Sequence, residues 1–149
     1  TGHLVMATLH TNTSVGAITR LRDMGIEPYL ISSTLIGVVA QRLVRVLNPT
    51  TKKSMKAKSY ECEMLGINPS DPPLIYHADG ASGFSGRTGI YELLQVDDNV
   101  RELIHEGASE REIEKYIRKN NPSIREDGKN KVLSGITTLD EILRVTQND

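Results

Sequence analysis

The chain has 149 residues, with one cysteine, no tryptophan, one phenylalanine and nearly equal numbers of basic and acidic side chains. A single cysteine excludes an intramolecular disulfide, and also a four-cysteine zinc site within one copy of the chain. No apolar stretch reaches the roughly 18 residues that a membrane span needs, and the first residues lack the charged and apolar regions of a signal peptide. Eighteen Lys and Arg against nineteen Asp and Glu leave a net charge of −1, with no overall bias towards polyanions. No G-x-x-x-x-G-K-S/T signature occurs, so this stretch by itself is not expected to hydrolyse a nucleotide in the P-loop manner. A mass of 16.5 kDa is that of one ordinary globular domain with chain enough for a core. The default expectation is a soluble protein of a reducing compartment.

The charge is unevenly spread. Residues 1–60 carry eight Lys or Arg and two Asp or Glu, a balance of +6, whereas residues 61–149 carry ten and seventeen, a balance of −7. Such asymmetry points to charged contacts within the protein or between copies, or to two solvated surfaces of opposite sign. The cluster Lys52, Lys53, Lys56 and Lys58 has only Tyr60 at its edge as an aromatic neighbour, a poor pattern for stacking on nucleic acid. It reads as a solvated loop, with a basic patch facing anionic lipid as the alternative.

Periodicity divides the chain into three segments. In 1–47, the nearly continuous apolar run His3 to Leu9 predicts a strand buried on both faces. The strand would need neighbours from elsewhere in the chain or from residues upstream, and the lack of an initiator Met fits a fragment. Polar residues His10 to Ser14 then offer N-caps for a helix marked by Val15, Ile18, Leu21 and Met24 and stopped at Gly25. Pro28 opens a second, largely buried helix towards Leu43, and Leu43 to Leu47 reads as a strand ending at Asn48-Pro49. Segment 48–86, with its lysines, prolines and glycines, reads as an irregular excursion with one short helix near Tyr60 to Leu65. In 87–149, Thr88 to Leu94 predicts a returning strand, followed by a small helical subdomain. Its start signals are Asp97, a capping box Ser109/Glu112, a start at Ser123 or Ile124, and a second capping box Thr138/Glu141.

The one constellation that invites chemistry is His10-Thr11-Asn12 at the carboxyl end of the first strand. Ligands of open α/β sheets sit outside strand carboxyl ends, and a helix N-terminus there helps to hold anions. A phosphate near His10, with hydroxyls from Thr8 or Thr11, is physically reasonable; a strand-to-helix turn with capping side chains is the plainer reading. His3, His10, Cys62, His77 and His105 show no paired spacing for a closed zinc site. Cys62 is expected to be half-buried, and His105 to be a cation at a helix C-terminus.

Five blocks in order carry a family resemblance: Thr1-Gly2-His3-Leu4-Val5-Met6-Ala7-Thr8-Leu9-His10-Thr11-Asn12, Thr19 to Pro28, Ala40-Gln41-Arg42-Leu43-Val44-Arg45, Gly86 to Leu94, and Gly135 to Thr146. The first resembles the histidine box of the type II/type IV secretion traffic ATPases, which are RecA-like hexameric motors. The wording Asp23 to Pro28 is similar to the secretion branch more than to the pilus branches. The resemblance implies an α/β fold: the C-terminal part of a RecA-like P-loop ATPase core, with a small helical subdomain. It implies ATP and Mg²⁺ as cofactors of an intact enzyme whose P-loop, catalytic glutamate and aspartate motif would all precede Thr1, so the fragment alone is expected to be inactive.

Carried over by position, His10 would sense the γ-phosphate, with Thr8, Thr11 and Asn12 around it; Gln41, Arg42 and Arg87 match family positions with loosely assigned roles. The implied partners are further copies in a hexamer and inner-membrane secretion platform proteins, without nucleic acid, at the cytoplasmic face of the bacterial inner membrane. A pilus-assembly ATPase, or a purely structural subunit-interface module, is the alternative. One departure is large. Members usually hold zinc with two Cys-x-x-Cys pairs, but here the first pair's positions read Asn48-Pro49-Thr50-Thr51 and the second region is shortened to Gly80-Ala81-Ser82-Gly83-Phe84. The expectation is an insertion without zinc, held by packing or partly disordered.

Overall fold

Five of the seven described helices begin where a short polar side chain accepts an amide proton that the first turn leaves unpaired. In the computed structural model, which describes residues 2–80 and 82–147, the order of elements is α1 (Ser14–Asp23), α2 (Pro28–Thr34), β1 (Gly37–Leu47), β2 (Lys53–Lys56), α3 (Ser59–Leu65), β3 (Leu74–His77), β4 (Phe84–Gln95), α4 (Asp98–His105), α5 (Glu110–Ile117), α6 (Ile124–Leu133) and α7 (Leu139–Val145). Thr13, Asp97, Ser109, Ser123 and Thr138 cap α1, α4, α5, α6 and α7 through their side-chain oxygens. The mixture of helix and sheet is the α/β class that the sequence implies. β1 pairs with β4 and β2 with β3, in two separate two-stranded sheets. The β2–β3 pair is antiparallel, with Lys53 opposite His77 and Lys56 opposite Leu74.

The chain forms two compact units, each made of two stretches: residues 1–40 with 93–121, and residues 41–92 with 122–149. Unit 1 packs the apolar faces of α1, α2, α4 and α5 around Val15, Ile18, Ile31, Leu94, Val96, Val100, Ile104, Ile113 and Ile117. Unit 2 buries Val44, Leu47, Cys62, Leu65, Ile75, Ile90, Val132 and Ile142. By sequence, unit 1 holds seven basic and nine acidic residues and unit 2 eleven and ten. The steep charge split between the halves of the sequence is therefore not a split between the folded units.

Several expectations are corrected. Residues 3–9 form no strand or helix, and Leu4, Val5 and Met6 are 73%, 81% and 89% exposed. A strand needs a neighbour to take its amides and carbonyls, and no described segment pairs with this one. The second helix stops at Thr34 rather than running to Leu43. Ser32, Ser33 and Thr34 all turn their hydroxyls back onto carbonyls of Tyr29 and Leu30, and the β-branched Val38 and Val39 that follow suit an extended strand. Gln41 and Arg42 consequently lie on β1, not on a buried helix.

Residues 48–86 are also more regular than expected, since β2 and β3 flank α3 as an antiparallel pair. Lys52 Nζ donates to the Gly135 carbonyl at 2.8 Å and lies 4.4 Å from the centre of the Tyr76 ring. Gly135 permits this approach, because a Cβ there would meet the Tyr76 ring at 2.8 Å. Cys62 is fully buried rather than half-buried, with its thiol directed at the Ala57 carbonyl. His105 lies in the last turn of α4, the end of the helix at which the sequence places it.

Candidate functional site

Unit 1 holds the histidine segment. His10, Thr8 and Asn12 are exposed and Thr11 is half-buried, in the irregular stretch leading into α1. Thr11 Oγ1 donates to the Thr13 carbonyl at 3.1 Å, and Thr13 Oγ1 accepts the Gly16 amide proton at 3.0 Å. Thr11 and Thr13 are thus folded into the cap of α1. The first turn of that helix carries no acidic residue, which ordinarily favours an anion. Here a carboxylate stands beside it already: Glu110 Oε1 accepts from Thr13 Oγ1 at 3.4 Å, and Oε2 accepts from Thr19 Oγ1 at 3.2 Å. The N-terminal end of α1 therefore already has a carboxylate beside it, while the imidazole of His10 stands exposed.

Unit 2 holds the other sequence candidates. Gln41 is exposed on β1 and Arg87 exposed on β4. The half-buried Arg42 donates through its guanidinium to the Val145 carbonyl at the end of α7. Its visible work is to tie β1 to that helix, by placing a cation at a C-terminus.

Beside Arg42, unit 2 contains a polar network that the sequence reading misses. Glu141, only 3% exposed at its side chain, accepts from the Arg45 amide at 2.9 Å, from the Arg45 guanidinium at 2.7 Å and from the Arg144 guanidinium at 3.0 Å. Thr137 Oγ1 donates to the Arg45 carbonyl at 2.7 Å, and the Arg45 guanidinium lies 4.0 Å from the centre of the Phe84 ring. Burial alone would raise the Glu141 carboxyl, but the hydrogen bonds from Arg45 and Arg144 prevail and hold it at about 2, against 4.5 in the open. The same bond to Glu141 raises Arg45. Thr138 caps α7 as expected. Glu141, however, spends its carboxylate on Arg45 and Arg144 rather than completing a capping box. The signal available in the sequence, Thr138-x-x-Glu141, is local, whereas its real partner Arg45 is 96 residues away.

Among the described residues, no group of three or more His, Cys, Asp or Glu could hold a metal ion. The lone Cys62 lies on the buried face of α3, inaccessible to solvent. The residues in the insertion therefore do not fit the zinc that the resemblance brings with it.

Against known proteins, the family described as Type II/IV secretion system protein matches residues 1–144. The chain belongs to the type II/IV secretion system protein family. Among its relatives there, the type II secretion system protein E of Pseudomonas aeruginosa is 54% identical over 100% of this chain and 31% of its own length. The type II secretion system ATPase E of Vibrio cholerae is 55% identical, over 99% of this chain and 30% of its own length. The chain thus spans under a third of the length of these relatives. A crystal structure of the pilus retraction motor PilT with bound ADP superposes with a TM-score of 0.63 at 22% identity, covering 97% of this chain and 33% of that one. That likeness shows a shared fold. The family expected from the five sequence blocks is the one that residues 1–144 match, and the high-identity relatives carry secretion names.

Proposed function

We propose that this chain is the C-terminal part of a hexameric ATPase that powers type II protein secretion, with His10 as the residue that registers the γ-phosphate of ATP. The observation that carries the reading is the identity of 54–55% over essentially the whole chain to proteins named for type II secretion, one of them an ATPase. The histidine segment supports it: His10 is exposed, and its neighbours Thr11 and Thr13 are fixed to the cap of α1, so a movement of the imidazole has a helix to pull on.

Phosphoryl transfer depends on positioning and on stabilising charge more than on covalent help from the protein. A neutral imidazole can donate one hydrogen bond to a phosphate oxygen, and a protonated one adds a charge. Either makes His10 a detector of phosphate rather than a base. Thr8 and Asn12 carry further side-chain donors near that position, and Thr11 would have to release the Thr13 carbonyl before its hydroxyl could join them. Gln41, Arg42 and Arg87 are kept as weaker candidates, since Arg42 already serves the end of α7. Bound ATP and Mg²⁺ would supply the reactive phosphoryl group and its charge neutralisation, held largely by groups outside this stretch, because it has no P-loop signature. The protein would act at the cytoplasmic face of the inner membrane, through platform proteins and without contact to nucleic acid or a zinc ion of its own. None of the described helices is long and apolar enough to cross a membrane.

Two measurements test this. Residues 1–149 alone should show no ATP binding by calorimetry, while His10→Ala in the full-length protein should lower ATP turnover and secretion together. Unchanged turnover and secretion in that variant would remove the sensor assignment. Zinc near one per chain, measured without a tag, would overturn the metal-free insertion.

A further inference from the structure

The carboxylate of Glu110 stands where the turn that follows the histidine segment meets α5. Glu110 is the first residue of α5, where a negative side chain is favoured by the helix dipole. Its two oxygens take hydroxyl protons from Thr13, the cap of α1, and from Thr19, nearly two turns further along the same helix. A second observation concerns Gly16. Glycine inside a helix costs about 1 kcal/mol relative to alanine, yet α1 has one in its first turn. A Cβ at that position would lie 3.0 Å from Thr13 Oγ1, 3.6 Å from Glu110 Oε1 and 3.8 Å from Thr11 Cβ. Gly16 therefore relieves crowding against the Thr13 hydroxyl, whereas a Cβ would make only ordinary contact with Glu110 and Thr11.

The hydrogen-bond directions are consistent through the cluster. Thr11 donates to the Thr13 carbonyl; Thr13 accepts from Gly16 with its hydroxyl oxygen and gives its one hydroxyl proton to Glu110. We propose that Glu110 is a positioning residue for His10: its carboxylate fixes the turn that directs the histidine segment away from α1, and couples that turn to α5. The proposal rests on the reading of His10 as a phosphate sensor. It adds an acidic side chain, 100 positions further along the sequence, that sets where the imidazole points and passes its displacement to a second helix. Glu110 touches no nucleotide in this scheme and acts only through the residues that carry His10.

The test is a double-mutant cycle in the full-length protein, with ATP turnover, KM for ATP and the thermal midpoint measured for each variant. Glu110→Ala removes both acceptors, and Glu110→Gln keeps one acceptor oxygen and should rescue part of the effect. With one or two hydrogen bonds lost, turnover should fall about fivefold for Glu110→Ala, with KM for ATP changed by less than about twofold. Gly16→Ala disturbs the same junction while leaving the carboxylate in place, and should lower turnover in the same direction. The deciding measurement is Glu110→Ala in a His10→Ala background. A residue that works through His10 adds no further loss there, whereas one that only stabilises the fold adds its full loss again. Additive losses, or a Glu110→Ala protein with unaltered turnover beside an impaired His10→Ala, overturn the role of Glu110 and leave the sensor reading standing. A His10→Ala protein with unaltered turnover overturns both.

Discussion

The two units of this chain solve the same burial problem with different materials. Unit 1 closes over hydrocarbon: every member of its core cluster is apolar, and its buried polar residues are the small Ser14 and Ser32. Unit 2 buries three glutamates, Glu61, Glu92 and Glu141, among its aliphatic side chains. Each has a donor. Glu61 accepts from the Lys58 amide at the start of α3, and Glu92 from the Ile124 amide at the start of α6. Glu141 has Arg45 and Arg144. Two of the three thus stand at helix N-termini, where amides otherwise lacking a partner make a buried carboxylate affordable. Helices can close on one another through apolar stripes alone, as in unit 1. Short strands, loops and brief helices present more unpaired backbone, and in unit 2 buried carboxylates absorb it.

The largest loss is expected in unit 1. Ile104→Ala, at a position with no solvent exposure, should cost about 3–4 kcal/mol, because the cavity is walled by helices that cannot collapse into it. Hydrogen exchange resolved by residue should show the loss of protection centred on α4 and its neighbours. A cost below about 1 kcal/mol would mean that unit 1 is not closely packed.

In unit 2 the corresponding test is electrostatic. The folded Glu141 carboxyl ionises at about 2 against 4.5 in the open, so its contribution is complete above about pH 4.5 and fades as pH falls towards 2. The shift corresponds to about 3 kcal/mol. Glu141→Gln should lose most of that at neutral pH and flatten the acid limb of the stability curve, as read by urea denaturation across that range. An unchanged acid limb would assign the acid sensitivity to other carboxylates.

A packing contact gives a third and smaller effect. Gly128 of α6 is buried, and a Cβ there would meet the side chain of Ile142 at 2.8 Å. Gly128→Ala should cost about 1–2 kcal/mol despite the gain in helix propensity; a rise in the thermal midpoint would show that Ile142 yields. The caps should then behave alike in both units. Ser109 of unit 1 and Ser123 of unit 2 both form capping boxes, with Glu112 and Glu126, and each Ser→Ala change should cost about 1 kcal/mol. The smallest effect is expected at His10. The side chain is exposed, so His10→Ala should shift stability by no more than about 0.5 kcal/mol, and any larger functional loss is then a loss of function proper.

What could be read along the chain follows the range of the interactions. The helices α4 to α7 are legible because their caps lie within three residues of the amides they serve, and Asp97, Ser109, Ser123 and Thr138 all do what their positions predict. The histidine segment was legible as a place, since His10 and its hydroxyl neighbours stand just before a capped helix. Its supposed strand was not. His3 to Leu9 and the run through β1 look equally apolar in sequence, yet only the second finds a partner, in β4. Gln41 and Arg42 moved from helix to strand for the same reason. The pairings of Glu110 with Thr13 and of Arg45 with Glu141 are not legible, because nothing near each residue in sequence indicates the partner it meets.

The amino-acid sequence by itself determined the family, through five ordered blocks, together with the start of nearly every helix and the absence of cysteines for a zinc site. All of these depend on residue identity or on contacts within a turn. Only the tertiary structure decided which apolar run becomes a strand, that 48–86 carries a paired sheet, and which carboxylates answer to which cations and hydroxyls. Those outcomes depend on groups far apart in the chain coming within about 3 Å, the range at which a hydrogen bond has its strength, and no local pattern records that meeting.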